Sequence, residues 1–399
     1  MKLRTIINIS RGRLLSSALW LFESSAGFLC IDANFFAGLY NFLLSMGEQS
    51  CRTSMCESVI MAGKILHAGT LFLFLSLVMT GCAGVTPLSH HVVVKRAQMH
   101  MGTLVTITAV ASDLEAGHRV IQAGFNEIKR LERLLSTWIP ESELSQVNAE
   151  SGRRPVTVSR ETLDLVARSM EMARLTEGGF NIAVGPAVEA WSVTERQRIP
   201  SDEELQRLKV LVDAVAIQID MTGQTIFLPH QGMKIDVGGI GKGYAADRAA
   251  EAMKKAGAQG GVVALAGDIK TFGALPDAAG FPVGIKHPRK EGVVIAVIDL
   301  QDEAISTAGD YERFFERDGV RYHHILDPQT LRPARSCQSV TVIGKEGVLV
   351  DGLDTGIFVL GPERGMALIE RLAGVEAVII DDQGRMILSS GLRSRLRAP

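Results

Sequence analysis

Three stretches carry residue types that could do chemistry. The first is Lys234-Ile235-Asp236-Val237-Gly238-Gly239-Ile240-Gly241-Lys242-Gly243-Tyr244. It reads as a strand ending at Asp236, a glycine-rich turn and the start of a helix. Glycines let backbone approach a ligand closely. Free N–H groups at a helix start suit a phosphate, and Lys242 would add positive charge. The same residues also fit a tight strand-to-helix turn with a solvated lysine. The glycine spacing is not G-x-G-x-x-G, so a dinucleotide fold is not indicated.

The second stretch is Asp351-Gly352-Leu353-Asp354-Thr355. On a helix, positions i, i+3 and i+4 share a face. Asp351, Asp354 and Thr355 would then present two carboxylates and a hydroxyl together, hard oxygen donors of the kind that suit Mg²⁺. The alternative is an N-capping Asp351 with an acidic first turn. The third stretch joins Ser306-Thr307-Ala308-Gly309-Asp310-Tyr311 to His323-His324-Ile325-Leu326-Asp327-Pro328. A histidine near a carboxylate can take a hydroxyl proton; either histidine could equally make a structural hydrogen bond. The nine histidines show neither HxxxH nor HxH metal spacing.

Elements must position these groups. Alternating β-branched residues predict a strand over Leu104–Val110. Apolar residues at helical spacing predict a helix over Leu114–Leu135 and another over Thr162–Thr176. Val215–Leu228 reads as a hairpin turning at Thr222-Gly223. Gly243–Ala256 reads as a helix capped by Gly257. Strands follow at Val262–Leu265, Val283–Lys286, Val293–Leu300 and Val340–Ile343. A helix is expected from near Asp351, broken at Gly361-Pro362 and resuming to Leu372. A last strand, Val375–Ile380, turns at Asp382-Gln383-Gly384. Strand pairs separated by helices predict an α+β fold, mainly antiparallel sheets with packed helices, in a single large domain.

The chain has 399 residues, 46% hydrophobic and 22% charged, enough to bury a substantial core. A formal net charge of -2 and 6% aromatic residues argue against a nucleic-acid partner. Lys64, the apolar run Leu71 to Met79 and then Thr80-Gly81-Cys82 resemble a lipoprotein signal peptide over residues 61–82. The run is short for a transmembrane helix. Residues 1–60 lack a usable pattern and read as a spurious or unstructured extension, with Met55 or Met61 as the true start. Residues 83–96 read as a tether and 97–399 as the folded domain. The five cysteines, Cys30, Cys51, Cys56, Cys82 and Cys337, have neither zinc nor CxxC spacing. Cys337 reads as a small hydrophobe.

Jointly, the segments resemble the FAD:protein FMN transferases, a flavin transferase family also called thiamine-biosynthesis lipoproteins. The resemblance runs from about residue 97 to about residue 390. It includes Met101-Gly102-Thr103, Ser136-Thr137-Trp138, Ser142, Asn148 and Gly179-Phe180-Asn181. It also includes Val184-Gly185-Pro186, Trp191, Asp236 to Tyr244, Asp247, Ala266-Gly267-Asp268, Ser306 to Tyr311, His324 to Thr330 and Asp351 to Thr355. It implies a T-fold-like domain that moves the FMN part of FAD onto a Thr or Ser hydroxyl of an acceptor flavoprotein, releasing AMP and using Mg²⁺.

By the same resemblance, Met101, Trp138, Gly179, Phe180, Asn181, Asp236, Lys242 and Leu326 would line the FAD site. Gly239, through its carbonyl, would join Asp351, Asp354 and Thr355 around the metal. His324 would act as base, with Lys242 assisting. Two positions depart from the family: Trp138 stands where many members have Tyr, and Asn181 where Asp is common. The implied setting is the bacterial cell envelope, periplasm-facing, anchored to the membrane through lipidated Cys82. The implied acceptor is a subunit of a membrane redox complex or a reductase. Competing functions are an FAD pyrophosphatase, with water as nucleophile, and a non-catalytic flavin-binding lipoprotein.

Overall fold

Alternation of side chains along extended backbone builds the sheet on which the site rests. The computed structural model describes residues 91–399. The extension 1–60, the signal segment 61–82 and residues 83–90 of the tether lie outside the described residues. Strand β1 (Val92–His100) pairs antiparallel with β2 (Thr103–Ala111). Residues 92–96, expected in the tether, therefore belong to the sheet. The two strands are joined by Met101 and Gly102, both at positive φ (50° and 68°). A two-residue hairpin of this hand requires positive φ at both positions.

Six further strands complete the sheet: β3 (Gly260–Leu265), β4 (Asp268–Phe272), β5 (Ala304–Gly309), β6 (Cys337–Gly344), β7 (Glu376–Asp381) and β8 (Met386–Leu388). The eight stand side by side in chain order, and every neighbouring pair is antiparallel. This is the α+β, single-domain architecture expected.

Helix α1 (Leu114–Leu135) begins where the Asp113 side chain accepts from Ala116 N–H, and it buries Val120, Ile121, Phe125, Ile128, Leu131 and Leu135. Four more helices matter here: α2 (Arg160–Leu175), α3 (Gly241–Lys255), α4 (Gly347–Leu360) and α5 (Pro362–Ile369). One face of the sheet packs on the helices through Val105, Ile107, Val263, Ala304, Ala308, Val340 and Val342. The hairpin Phe281–Lys286 and Val294–Leu300 covers Ile305, Ile343 and Val378 on the other face. Period-2 alternation then assigns Ser306, between Ala304 and Ala308, to the helix side. Asp268 shares the parity of core Phe272 and opposes that of Ile269, so it also faces the helices.

Two elements differ from expectation. Helix α4 starts at Gly347, not near Asp351. Its first amides are capped from a distance: Asp247 accepts from Gly347 N–H at 2.8 Å and from Val348 N–H at 3.0 Å. Asp351 therefore lies in the second turn and is not an N-cap. The segment Lys234–Asp236, expected to end a strand, forms none. The Asn148 side chain takes the role of a partner strand, donating to Ile235 C=O at 2.9 Å and accepting its N–H at 2.7 Å. Cys337 is buried, and burial pushes its thiol up to about 12, which suits an inert packing residue. Among the described residues, no helix is long and apolar enough to cross a membrane.

Candidate active site

Helix α4 and the sheet bring three carboxylates to one buried point. Asp351 and Asp354 come from the helix, and Asp268 from the start of β4. One oxygen of each lies within 4.8 Å of the others, and all three residues are 3% exposed or less. Ser306 Oγ stands 2.5 Å from Asp268 Oδ1 and 2.6 Å from Asp354 Oδ2. A hydroxyl has a single proton to donate. The second contact needs a proton on a carboxyl.

The only cation ion-paired to this cluster among the described residues is Lys242. Its Nζ pairs with Asp268 and lies 3.9 Å from Asp351 Oδ1. Burial alone would push Lys242 down, but the Asp268 and Asp351 charges outweigh it and hold the ammonium above its ordinary range. Three ionised carboxylates against one ammonium would leave a net charge of -2. Burying that excess is costly unless it is neutralised. Accordingly, burial and then the charge of Asp268 push Asp351 up to about 7. Burial and then Asp351 raise Asp354 well above the usual carboxylate range. A dication would balance the same excess, and an all-oxygen donor set belongs to the Mg²⁺, Ca²⁺ and Mn²⁺ class.

The remaining expected ligands gather here. Thr355 Oγ1 donates to Asp354 Oδ1 at 3.1 Å. A Cβ added to Gly239 would sit 3.1 Å from Thr355 Oγ1 and 3.4 Å from the Phe180 ring. A glycine there lets the loop backbone lie against the hydroxyl. Gly243 N–H, at the start of α3, donates to Asp351 Oδ2 at 2.7 Å. A Cβ on Gly243 would collide with Gly347 C=O, so α3 and α4 start in backbone contact. Asp247 closes this junction through its two capping bonds. Asp247→Ala is expected to lower stability by about 1 kcal/mol. Urea unfolding in metal-free buffer checks this; an unchanged midpoint would remove Asp247 from the junction.

Asp268 and Ser306 complete the cluster although sequence reasoning assigned them no role. Ala266-Gly267-Asp268 and Ser306 were both visible as motifs. No local pattern told that their side chains meet α4.

The expected flavin-lining residues divide. Gly179 packs on α4, since a Cβ there would lie 2.6 Å from Gly356 C=O. Phe180 is buried beside Gly239, and its N–H donates to Thr176 Oγ1 at 2.9 Å. Asn181 accepts from Ala183 N–H at 2.8 Å, capping the short helix Ile182–Val184. Aspartate could make that cap equally well, which explains why Asn181 is accommodated. Asp236 accepts from Gly238 N–H at 2.7 Å, while burial raises its carboxyl. Met101 N–H donates to Glu132 Oε1 at 2.6 Å, which holds the β1–β2 turn to α1. Trp138 stands 74% exposed, and Leu326 is buried beside Trp191 and Leu331. No hydrogen bond among the described residues links Met101, Trp138 or Leu326 to the carboxylates.

The two histidines have different surroundings. His323 is buried; its Nε2 lies 2.7 Å from Ala334 C=O and its Nδ1 accepts from Ile325 N–H at 3.3 Å. Both ring nitrogens are engaged. His324 Nδ1 lies 3.2 Å from Arg313 C=O, so Nδ1–H is the donor and Nε2 keeps its lone pair. Burial, followed by the Arg313 charge, lowers His324 to about 3, which keeps the imidazole neutral at working pH.

Comparison with known proteins identifies relatives of the chain. The model of the ApbE family matches residues 101–379. An FAD:protein FMN transferase of Treponema pallidum (strain Nichols) is 32% identical over 320 residues, 76% of this chain and 88% of that protein. An FAD:protein FMN transferase of Klebsiella pneumoniae (strain 342) is 31% identical over 298 residues, 74% of this chain and 91% of that protein. The crystal structure of the ApbE protein from Thermotoga maritima superposes with a TM-score of 0.72 at 30% identity, covering 77% of this chain and all of that one. The family match takes in strands β2 to β6, most of β7, the glycine-rich loop and the buried carboxylates, and the chain belongs to the ApbE family.

Proposed function

We propose that the protein transfers the FMN part of FAD to a Thr or Ser hydroxyl of an acceptor flavoprotein, releases AMP and uses Mg²⁺. Flavin transfer is the activity named for its relatives. The observation that carries the metal reading is the buried excess of acidic oxygens around Asp268, Asp351 and Asp354, matched by one lysine. Asp351, Asp354, Thr355 and the carbonyl of Gly239 would hold the ion, with Asp268 and Ser306 beside them. Bound there, Mg²⁺ would supply positive charge to the phosphate oxygens.

The chain's own groups account for the rest. The acceptor hydroxyl oxygen attacks the FMN phosphorus, and the bond from that phosphorus to the AMP phosphate oxygen breaks. Lys242 would stabilise negative charge on the phosphates. The lone pair on His324 Nε2 receives the hydroxyl proton. Negative phosphates beside His324 would raise its proton affinity from the low value of the empty pocket. Positioning by Gly179, Phe180, Asn181 and Asp236 contributes through orientation.

The test combines the purified protein, FAD, Mg²⁺ and a candidate acceptor domain. An FMN mass increment on Thr or Ser that disappears with EDTA is the expected result. FAD split to free FMN and AMP with the acceptor unlabelled would instead assign a pyrophosphatase. Intact bound FAD would assign a binding protein.

The proposal includes the envelope setting: signal peptide 61–82, a lipidated Cys82 and a periplasm-facing domain acting on a membrane redox complex or reductase. Intact mass of the native protein is expected to show a diacylated chain beginning at Cys82. A mature form retaining residues 1–60 would overturn it.

A further inference from the structure

We propose that a cavity at the far end of β5, β6 and β7 is an oxyanion site, taking a carboxylate or phosphate group between Arg321 and Arg335. The cavity has a volume of about 210 Å³, and its walls include Arg289, Asp310, Arg321, Arg335, Gln338 and Asp382. It is separate from the carboxylate cluster. Asp310 follows the end of β5, four residues beyond Ser306, which is on the order of 13 Å of extended chain.

The three guanidiniums are not equally engaged. Arg289 donates to both oxygens of Asp310, at 2.6 and 2.7 Å, and so uses that carboxylate fully. Arg321 spends Nε and Nη2 on Glu316 Oε1, at 3.2 and 3.0 Å. Its Nη1 is 3.7 Å from Asp310 Oδ1, beyond hydrogen-bond reach. That nitrogen is one of two buried side-chain N or O atoms without a hydrogen-bond partner among the described residues. Arg335 donates from Nη1 to Arg321 C=O at 2.9 Å, its one hydrogen bond among the described residues, and its guanidinium lies 5.7 Å from the Tyr322 ring centroid.

Buried charged donors are seldom left unpaired, because the desolvation cost is not recovered. Here the residue that carries the orphan donor lines the cavity, and a second guanidinium with spare donors, that of Arg335, lines it too. The wall carries three arginines against Asp310 and Asp382, a net charge of +1. Planar guanidinium groups with spare N–H donors recognise carboxylate and phosphate oxygens through paired bonds. The volume exceeds what a bare phosphate needs, leaving room for the group that carries the oxyanion.

The position gives the site a use. His323 also lines the cavity, and His324, the next residue, is the proposed base. An acidic group of the acceptor seated here would hold the acceptor chain beside that base. This last step rests on the transferase reading; the oxyanion site does not.

The probe is inorganic phosphate, titrated by calorimetry into the metal-free full chain. Saturable binding is expected, weakened at least tenfold in Arg335→Ala and in Arg321→Ala, and retained in Asp351→Asn. Arg335 is exposed, so its variant keeps the test alive if the Arg321 variant fails to fold. In the transfer assay, Arg335→Ala should raise the acceptor KM about tenfold with kcat and the FAD KM unchanged, if the oxyanion belongs to the acceptor. Lost phosphate binding with an unchanged acceptor KM would support the site with a free anion as its ligand. Undiminished phosphate binding, or none in the wild type, together with an unchanged acceptor KM overturns it. Absence of transfer by the wild type would sink the transferase reading and leave the phosphate titration to judge the site.

Discussion

Asp351→Asn is expected to abolish flavin transfer while leaving the metal-free protein as stable as the wild type or more so. The asparagine keeps the shape of the side chain. Its Oδ1 can still accept from Gly243 N–H, the bond Asp351 makes at 2.7 Å, and its Nδ2 can donate toward Asp268. One of three crowded carboxylates is removed, so repulsion in the empty site falls. Removing a charge from a buried like-charged cluster often stabilises for this reason. Activity should move the other way, because a proposed metal ligand and its charge are lost. Loss of one preorganised electrostatic contact costs about a hundred- to a thousandfold in turnover. Loss of a metal ligand should lie at or beyond the upper end. Transfer rates at saturating Mg²⁺ and melting temperatures in EDTA check the two halves. Near-wild-type turnover in Asp351→Asn would overturn the metal assignment. A large drop in the EDTA melting temperature would mean that Asp351 is mainly structural.

Much of this site was legible because its signals are local. The spacing of Asp351, Asp354 and Thr355 needs only a helix. Helix α1 was bounded correctly because its apolar stripe, Val120 to Leu135, lies within the helix itself. What was missed is set by contacts distant in sequence. Helix α4 begins four residues before Asp351 because Asp247, one hundred residues earlier, caps Gly347 and Val348. The intervening Val348-Leu349-Val350 carries no local start signal. Met233, Ile235 and Val237 alternate like a strand and are buried like one. Yet the backbone partner of Ile235 is the Asn148 side chain, which no periodicity announces. Asp268 was visible only as part of a motif, since its direction depends on the register of β4 against β5. The same holds for His323 and His324. A strand ends at His323 and the chain bends at His324, and contacts with distant carbonyls, Ala334 for one and Arg313 for the other, decide which ring nitrogen stays free.

The stability of the metal-free protein should fall as pH rises toward 8, and Mg²⁺ should reverse the fall. An aspartate in the unfolded chain titrates near 3.8, whereas Asp351 in the empty folded site is pushed up to about 7. Between those values the folded state binds more protons than the unfolded state, so stability decreases with rising pH until the folded group has ionised. Asp354 is raised by the same burial and acts with the same sign. His324 opposes this at lower pH. Its folded value is lowered to about 3 from an ordinary 6.5, so its destabilising effect grows as pH drops below 6.5 and vanishes above it. The carboxylates are therefore read most cleanly between pH 6.5 and 8. Metal binding requires their ionised form and releases any proton they hold. The Mg²⁺-induced rise in melting temperature should thus grow across this window in the wild type and be largely lost in Asp351→Asn. Subtracting the EDTA series from the Mg²⁺ series cancels pH effects of groups remote from the ion, including Asp247 in the helix junction. A Mg²⁺ shift independent of pH would mean that the carboxylates are already ionised in the empty site. The charge excess that argues for a dication would then be balanced in some other way.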